Sequence, residues 1–594
     1  MEKASKQHSL QALTLGLLAL CASGCMDHDY DLTEDIDLKI QLGGESLTVP
    51  ASNTDVITLS QILDLDPNDP NGSIKTVSTE GEYGLSVGDY VLVQEGESTP
   101  SQFEVPTVVI GDINGNTATT TLPEFYNITG DAIITQKAHP THNTIHLQDD
   151  NVTKELVSVE SADLDVRIDF EVGYQSDDFT GTAYIEEGYT AIFDPSWTVE
   201  IKDAATAEYL EMENANTMRF KKRYAVTPTT PLVARINLVR IDFTKVPAGQ
   251  GLYAPGHFLI DSRMESKGNI SLTIGDLPLG QKANLTLVTS TKVSEANILK
   301  VRGVVDPKID ITATDFEIND VPDFLSDPEN KLDIANPQIR IIITNTSPLS
   351  IELNGQLSSY CDNAETATVG IGKEYGTAPM IVNGNSTTEF VICRQATDET
   401  ANNIVVPNLS TLIETIPDRF SFHNATSKAI LETAEYTLGT SYTYDCKYKA
   451  VIPLAFGETM KLHYTHEEKD WDTDLDKYNF NTVELTADVL NAVPLDMTPS
   501  AIALDNNNEE LTTVTVAVEG EVKAGTPAQP TTTPLKITVR STGENIKNLS
   551  GIRVVFDATS NSAYRGINLN KEQSLKFNNI RITVKGGVTV DLND

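Results

Sequence analysis

The sequence predicts an all-β, multi-domain protein built from tandem antiparallel β-sandwich domains of the immunoglobulin-like kind, with few short helices. Apolar and polar residues alternate with a period of two along many short runs, as in a strand with one buried face. Turn residues are frequent, with 36 glycines and 27 prolines in 594 residues. Helical periodicity is scarce between the strand-like runs, and its scarcity favours sandwiches over α/β folds.

The clearest strand pattern covers residues 163–172, where aliphatic or aromatic residues from Leu164 to Val172 alternate with charged residues. Charges on one face and apolar side chains on the other are typical of an antiparallel sheet that is solvated on one side. Similar runs occur at residues 36–42, 90–93, 103–108, 236–243, 339–343, 483–489, 513–518, 535–539, 552–556 and 580–584.

Only one helix is clearly indicated, at residues 410–416. Thr411 and Glu414 have the spacing of a capping box, and Pro417 ends the run. A shorter helical turn is expected at residues 59–63.

A chain of 594 residues exceeds what one hydrophobic core usually holds, so several domains are expected. Shifts in pattern predict the boundaries. They are a signal peptide at 1–24, an acidic tether at 25–37, an N-terminal β domain at 38–150, a β-sandwich at 151–305, a β-sandwich with the short helix at 306–478, and a C-terminal β-sandwich at 479–594.

A short internal repeat occurs in two of these domains. Residues 341–349 and 485–495 both run a strand into Asn-x-x-Pro-Leu and then into a second strand. Asparagine tolerates turns and bulges, and proline removes a donor from the ladder, so a chain can switch sheets at such a point. We interpret the two segments as equivalent corners of related sandwiches, with coincidence as the alternative.

The first 25 residues predict a lipoprotein signal peptide. Two lysines precede an apolar run at residues 10–21, which is shorter than the roughly 20 residues of a membrane span. The small residues Ala22-Ser23-Gly24 before Cys25 have the form of a lipobox, after which Cys25 becomes a lipid-modified N-terminus carrying acyl chains such as palmitate. Ordinary cleavage that leaves Cys25 as a plain thiol is the alternative.

Charge limits the classes of partner. The formal net charge is −42, and so acidic a chain repels nucleic acid and anionic headgroups. The lipid on Cys25 is therefore the expected membrane attachment, and three acyl chains exceed the two that suffice for stable anchoring. The acidic residues at 26–37 predict an extended tether.

Several blocks resemble a group of large, β-rich Bacteroidetes surface lipoproteins of unknown function. The resemblance rests on the lipidated cysteine with Asp29-Tyr30-Asp31-Leu32 and on the blocks at residues 321–325, 332–339, 452–457 and 586–593. The acidic stretch beside Cys25 also resembles the export signal of such lipoproteins. The resemblance implies a protein lipid-anchored in the outer membrane and facing the cell exterior, and it transfers no catalytic residues.

After Cys21 and Cys25 are set aside, three cysteines remain: Cys361, Cys393 and Cys446. In an oxidising compartment a disulfide between Cys361 and Cys393, the nearer pair, is a candidate, with the third cysteine as a free thiol.

Candidate metal ligands occur in two places. Asp470, Asp472, Asp474 and Asp476 alternate around Trp471, and on a loop their oxygens could surround calcium. A solvated acidic linker is the alternative. The three histidines at 139, 142 and 146 have a spacing that clusters on a helix and could bind zinc or copper, but Pro140 argues against a helix there.

No P-loop is present in the sequence and the resemblance transfers no catalytic residues, so we expect a non-enzymatic surface lipoprotein that acts by binding or display. Glycan or host-ligand capture is one form of that function, and an adhesin or fimbria-associated subunit is another. A surface hydrolase, either a glycosidase or a metal-dependent enzyme, is the alternative of a different class, because a catalytic carboxylate pair leaves no sequence motif. With Trp197 and Trp471 as the tryptophans, a glycan platform would have to use tyrosines.

Overall fold

The computed structural model describes residues 39–591, except residues 43–45, 52, 63–72, 111, 129, 131, 274–276, 295, 310–313, 320, 322–324, 326, 328, 398–401, 469–477 and 586–587. Strands make up 59% of the structure and helices 5%, so the predicted all-β class is confirmed. The helices are α1 (Leu59–Ile62), α2 (Ala204–Ala207) and 3₁₀ helices at Glu82–Gly84, Phe243–Lys245, Lys373–Tyr375 and Leu409–Ile413. None of the helices in the described part of the chain has the length and apolar character needed to cross a membrane. Cys25, the signal peptide and the acidic tether lie outside the described residues.

Residues 39–149, called the N-terminal segment below, contain short strands that pair mostly with later parts of the chain. They are β1 (Lys39–Leu42), β2 (Ser46–Pro50), β3 (Ile57–Thr58), β4 (Ile74–Thr76), β5 (Tyr90–Glu97), β6 (Ser101–Glu104), β7 (Val108–Ile110), β8 (Asp112–Gly115), β9 (Thr117–Thr121), β10 (Phe125–Tyr126), β11 (Ile133–Lys137) and β12 (Thr141–Asp149).

Sandwich I follows, at residues 156–305. Its strands are β13 (Leu156–Gln175), β14 (Ala183–Ile185), β15 (Thr190–Ile192), β16 (Trp197–Glu200), β17 (Leu210–Asn214), β18 (Thr217–Phe220), β19 (Tyr224–Val226), β20 (Leu232–Asp242), β21 (Gly251–Ala254), β22 (His257–Lys267), β23 (Asn269–Thr273), β24 (Lys282–Ala283), β25 (Thr286–Val293) and β26 (Ala296–Val305). One sheet has the order β16-β20-β13-β25-β9, and it faces the sheets β17-β18-β15-β22-β12-β8 and β11-β23-β14-β19. Along β13 the residues from Leu164 to Val172 that were predicted to face inward are all buried.

Sandwich II spans residues 314–453. Its strands are β27 (Thr314–Glu317), β28 (Gln338–Asn345), β29 (Ile351–Cys361), β30 (Ala364–Ile371), β31 (Met380–Val382), β32 (Ser386–Cys393), β33 (Asn402–Val405), β34 (Arg419–Ala429) and β36 (Ser441–Pro453). Its sheets have the orders β33-β32-β28-β36-β5-β4 and β27-β34-β29-β30. The strand β35 (Ala434–Thr437) lies in the same stretch of chain but pairs with β26 of sandwich I.

Sandwich III spans residues 461–591. Its strands are β37 (Lys461–Glu468), β38 (Tyr478–Asn479), β39 (Thr482–Asn491), β40 (Leu495–Leu504), β41 (Val514–Glu519), β42 (Thr531–Ser541), β43 (Gly551–Ser560), β44 (Ser574–Lys585) and β45 (Val588–Asp591). Its two main sheets have the orders β2-β44-β39-β42-β41 and β37-β43-β40, and a small sheet joins β1, β45 and β38.

The three sandwiches share one strand path. In sandwich II, β28 is followed by β29 in the facing sheet, β32 returns beside β28, β34 pairs with β29, and β36 takes the other side of β28. In sandwich III, β39, β40, β42, β43 and β44 follow the same path. In sandwich I, β13 takes the first place of the path, and β14 and β15 follow in the facing sheets. β20 then returns beside β13, β22 pairs with β15 and β23 with β14, and β25 takes the other side of β13.

The N-terminal segment completes each of these paths with one strand. The last strand of the path pairs antiparallel with β2 in sandwich III, with β5 in sandwich II and with β9 in sandwich I. The segment therefore runs through the sandwiches in reverse order, from III to II to I, before β12 joins sandwich I against β22.

The domain boundaries predicted from the sequence stay predictions. The strand pairing shows, however, that residues 38–150 pair mainly with later strands and only twice among themselves within the described residues, as β4 with β5 and β8 with β12. Alternation with a period of two identifies the buried face of a strand but not its partner, so the sequence pattern could not reveal this distribution.

The two Asn-x-x-Pro-Leu corners have matching geometry. The side-chain amide of Asn345 donates to the carbonyls of Leu349 (2.8 Å) and Asn383 (2.9 Å), and that of Asn491 donates to the carbonyls of Leu495 (3.3 Å) and Lys523 (2.8 Å). Each asparagine oxygen also accepts a backbone N–H from the residue two positions later. At both corners the chain passes from one sheet to the facing sheet, so the predicted equivalence is confirmed.

The helix predicted at residues 410–416 was wrong in type. The structure has a 3₁₀ helix at Leu409–Ile413, and its N-cap residue Asn408 makes no side-chain capping bond. The Thr411 hydroxyl donates to the Asn408 carbonyl (2.8 Å), so the capping box does not form. Burial of Leu409, Leu412 and Ile413 holds this short turn instead. The turn expected at residues 59–63 corresponds to α1.

The structure does not contain the predicted disulfide between Cys361 and Cys393. Both cysteines are free thiols. Cys361 lies on β29 and Cys393 on β32, which belong to facing sheets. The Cys361 thiol donates to the Ile416 carbonyl (3.7 Å), and the Cys393 thiol donates to the Asn403 side-chain oxygen (3.4 Å). Nearness in sequence did not identify the sheet in which each cysteine lies.

Candidate functional site

The candidate site is a cavity between the two sheets of sandwich II. Its volume is about 60 Å³, and its walls come from β28 and β36 on one side and from β27, β29, β31 and β34 on the other. The residues on which its properties depend are Ile343, Cys446 and Tyr448 in one sheet and Leu353, Leu357 and Phe422 in the other.

Strand alternation makes this cavity apolar. On β36 the side chains of Tyr444, Cys446 and Tyr448 line the cavity, whereas Lys447 between them is exposed and pairs with Glu97 on β5 (2.5 Å). Because successive side chains of a strand point to opposite faces, the charged residues of β36 stay outside the cavity.

Two glycines make room for aromatic rings in the cavity wall. A Cβ atom at Gly96 would overlap the Tyr448 hydroxyl, and a Cβ atom at Gly355 would overlap the ring of Phe422. The Tyr448 ring also packs against Phe316, with 4.2 Å between ring centroids. These contacts fix the positions of both rings at the wall.

The mouth of the cavity belongs to the N-terminal segment. Ser98, Thr99 and Ser101, in and beside the turn between β5 and β6, are among the lining residues, and Thr99 is exposed while Ser98 and Ser101 are half-buried. The backbone N–H of Ser98 donates to the Cys446 carbonyl (2.9 Å), and the Ser98 hydroxyl donates to the same oxygen (3.3 Å). The strand that completes sandwich II therefore also supplies the polar rim of its cavity.

The cavity is uncharged near neutral pH. Burial raises the pKa of the Cys446 thiol, and the hydrogen bond to the Ser98 hydroxyl opposes this shift. Burial also raises the pKa of Tyr444 to about 12, while its bond to Ser347 opposes the shift, and burial followed by Cys446 and Glu317 raises the pKa of Tyr448. A protonated thiol is a poor nucleophile, so these groups suit the binding of an apolar molecule better than hydrolysis.

The candidate calcium ligands Asp470, Asp472, Asp474 and Asp476 lie outside the described residues, as does Trp471. Within the described ranges, no group of three or more histidine, cysteine, aspartate or glutamate side chains is arranged to hold a metal ion.

The histidines at 142 and 146 lie on strand β12, so the helical clustering considered for them does not occur. His142 is exposed on that strand. Nδ1 of His146 is 2.6 Å from an Asp261 carboxylate oxygen, and its Nε2 is 3.1 Å from the Gln148 side-chain oxygen.

A serine and a histidine that sequence reasoning missed are brought together in sandwich II. Oγ of Ser358 lies 2.8 Å from Nε2 of His423, 65 residues away in the chain, and its other neighbour is the Thr368 hydroxyl (2.5 Å). Ser358 is fully buried, so no substrate can reach its hydroxyl without a change in the sheet. No motif surrounds either residue, and the sequence carried no signal for the pair.

A second surface has the composition of a sugar-stacking site. Trp197 is buried and cannot form such a platform, but Tyr253 is 47% exposed. Its ring lies 5.9 Å from that of His257, and Nδ1 of His257 lies 2.9 Å from an oxygen of Asp150. The bond from His257 lowers the pKa of the Asp150 carboxyl. An exposed ring beside a carboxylate and an imidazole can stack on a sugar and hydrogen-bond its hydroxyls.

His463 connects sandwich III with the chain that leads into it. On β37, its Nδ1 lies 2.9 Å from Asp557 on β43 and 3.7 Å from Glu329. The bond to Asp557, aided by the charges of Glu329 and Asp327, raises the pKa of His463 despite partial burial. A raised pKa means that the folded protein binds the proton more tightly than the unfolded chain does. The resulting stability is complete below the unfolded pKa of about 6.5 and is lost as the pH rises through the folded pKa.

We therefore expect the Asp557→Asn variant to lose up to about 1 kcal/mol of stability at pH 5.5 and almost none at pH 9. Denaturant unfolding at the two pH values measures the difference. Glu329→Gln should act in the same direction with a smaller effect, because its carboxylate is farther from His463. Equal losses at both pH values would show that Asp557 stabilises the fold by some route other than the histidine charge.

No protein-family model and no curated protein matches the chain. Among solved structures, it is similar to a candidate secreted protein of Parabacteroides distasonis, with 16% identity, a TM-score of 0.34, and coverage of 48% of this chain and 83% of that one. The structure of T=1 particles derived from infectious bursal virus has 9% identity, a TM-score of 0.14, and coverage of 86% of this chain and 83% of that one. The structure of Sulfolobus turreted icosahedral virus has 10% identity, a TM-score of 0.11, and coverage of 84% and 100%. All three TM-scores are below 0.5, so these similarities assign no function.

Proposed function

We propose that this chain is a non-enzymatic lipoprotein of the outer membrane, anchored through lipid on Cys25 and exposed at the cell surface, where it acts by binding or display. The observation that carries the proposal is the pairing of the N-terminal segment with all three sandwiches. Because the segment that follows Cys25 in the chain contributes strands to each sandwich, strand pairing connects every sandwich to the part of the chain that would carry the anchor. Such a connection suits a protein that holds its ligand or presents its surface while fixed to a membrane.

The charge of the chain supports the same proposal. A net charge of −42 repels the anionic surface of a membrane, which favours sandwiches that face solvent over sandwiches that lie on the bilayer.

The anchoring is tested with the Cys25→Ala variant, which we expect to leave the outer-membrane fraction, while Cys446→Ala stays with it. Protease added to intact cells should digest the wild-type protein. Retention of Cys25→Ala in the membrane, or full resistance of the wild-type protein on intact cells, would overturn the proposal.

Glycan capture is the form of binding that the Tyr253 surface favours. In affinity electrophoresis through gels that each contain one polysaccharide, we expect at least one polysaccharide to slow the migration of the wild-type protein. The Tyr253→Ala variant should lose most of that slowing. Tyr375→Ala is the matched control, since Tyr375 is also exposed, at 42%, and lies in sandwich II. Loss of retardation in both variants, or in neither, would remove Tyr253 as the contact, whereas co-purification with surface filaments would favour the adhesin alternative.

A further inference from the structure

We propose that the cavity of sandwich II binds the hydrocarbon end of a small uncharged amphiphile, of the chemical class of aliphatic alcohols, with its polar end at the hydroxyls of Ser98, Thr99 and Ser101. This inference rests on the proposed binding function and specifies a ligand class for it.

The lining of the cavity determines the apolar part of the ligand. Isoleucine, leucine and phenylalanine side chains from both sheets face the space, among them Ile343, Leu353 and Phe422. A buried water molecule usually needs two to four polar partners, and this lining offers few. Hydrocarbon therefore occupies the space at a lower cost than water does.

The size of the cavity selects a chain over a ring. Its volume is about 60 Å³, whereas an engineered protein cavity that binds benzene has roughly 150 Å³. The cavity is partly open, and its lining residue Thr99 is exposed, so a narrow alkyl chain can enter end first while the rest of the molecule stays outside.

The wall is held so that it does not close over this space. Tyr448 lies over Gly96 and Phe422 lies over Gly355, and the Tyr444 hydroxyl is 3.2 Å from that of Ser347. Rings fixed by such contacts leave the cavity open, as expected for a preformed binding site.

Charge determines the polar end of the ligand. The groups around the cavity are neutral hydroxyls and a protonated thiol, and the carboxylate of Glu317 acts on the nearby Tyr448 hydroxyl. With a net charge of −42 on the whole chain, a carboxylate is repelled. An alcohol avoids this repulsion, and its hydroxyl can pair with those of the serines and the threonine at the rim.

The experiment uses the purified full-length mature chain with Cys25→Ala, so that its outcome does not depend on membrane attachment. Iodoacetamide alkylates the protein at pH 8.5 with and without hexan-1-ol, and peptide mass spectrometry follows Cys446. We expect hexan-1-ol to slow alkylation of Cys446 at least fivefold with a saturable dependence, and sodium hexanoate at the same concentration to have little effect. Cys361, which does not line the cavity, should react at an unchanged rate with either compound.

A filling variant separates cavity binding from other causes. Leu353→Phe places extra atoms in the cavity and should abolish the protection by hexan-1-ol, whereas Leu353→Met keeps the volume nearly constant and should retain it. Leu357→Phe, at another residue of the cavity wall, serves as a second filling variant if Leu353→Phe does not fold. Protection that persists in a folded filling variant, equal protection by hexanoate, or no saturable protection in the parent protein would overturn the inference. None of these results would by itself affect the proposal of a surface lipoprotein, which the Cys25→Ala fractionation tests.

Discussion

Replacing Leu92 with proline is expected to unfold sandwich II, although Leu92 belongs to the N-terminal segment. Leu92 is fully buried on β5, opposite Ile452 of β36 on one side and Ile74 of β4 on the other. Proline removes a ladder hydrogen bond in the interior of a sheet and empties part of the core. The combined cost is at least about 3 kcal/mol. Hydrogen exchange should report the loss of protection in β28 and β36, both of which belong to sandwich II.

Leu92→Met is the control for this prediction. It keeps the volume and the backbone N–H, and should cost less than about 1.5 kcal/mol. If Leu92→Pro exposed only the N-terminal segment and left β28 and β36 protected, β5 would not be an integral strand of sandwich II.

The second large effect is expected at the two corners. Asn345→Ala leaves the carbonyls of Leu349 and Asn383 without the amide that serves them and removes the acceptor of the Ser347 N–H and hydroxyl. Each buried polar group that loses its partner costs about 1–3 kcal/mol, so we expect a loss of roughly 2–4 kcal/mol in sandwich II. Denaturant unfolding, followed by hydrogen exchange of β28 and β29, measures it.

Asn491→Ala should produce the same kind of loss in sandwich III, and a smaller one. Its amide makes a longer bond to the Leu495 carbonyl (3.3 Å), and valine replaces the serine whose hydroxyl adds a fourth bond at Asn345. The control is Thr344→Ala, one residue before the first corner, where the side chain bonds the Thr387 hydroxyl at an exposed position and the cost should stay within about 0.5 kcal/mol. A large effect of Thr344→Ala, or none of Asn345→Ala, would contradict the role given to the corners.

The parts of the fold that follow from local chemistry could be predicted from the sequence. The alternation at Leu164 to Val172 fixed the buried face of β13, and the recurring asparagine and proline identified the two corners. Strand pairing between distant segments could not be predicted in this way. The residues of β2 and β5 carry ordinary strand patterns, and nothing in them distinguishes a partner nearby from one several hundred residues later.

The same limit applies to the candidate site. Ile343, Leu353 and Phe422 are apolar residues of ordinary strands, and the cavity among them exists only because two sheets and the turn at Ser98 meet there. Gly96 and Gly355 have no local signature of their role, which depends on rings that lie on other strands. For the cysteines, the sequence suggested a contact that the structure lacks. The spacing of Cys361 and Cys393 suggested a disulfide, but the two residues lie in facing sheets and remain free thiols.

Cross-linking tests most directly whether the N-terminal segment completes all three sandwiches. Cysteine pairs are introduced at directly opposed, solvent-facing positions: Thr48→Cys with Thr583→Cys, Glu97→Cys with Lys447→Cys, and Thr119→Cys with Val288→Cys. Shifted pairs, in which the two cysteines come from different matched pairs, serve as controls; Thr48→Cys with Lys447→Cys is one example. We predict that mild oxidation joins each matched pair within one chain and leaves the shifted pairs open. Failure of the matched pairs to form, or equal yields from the shifted pairs, would contradict the shared N-terminal segment.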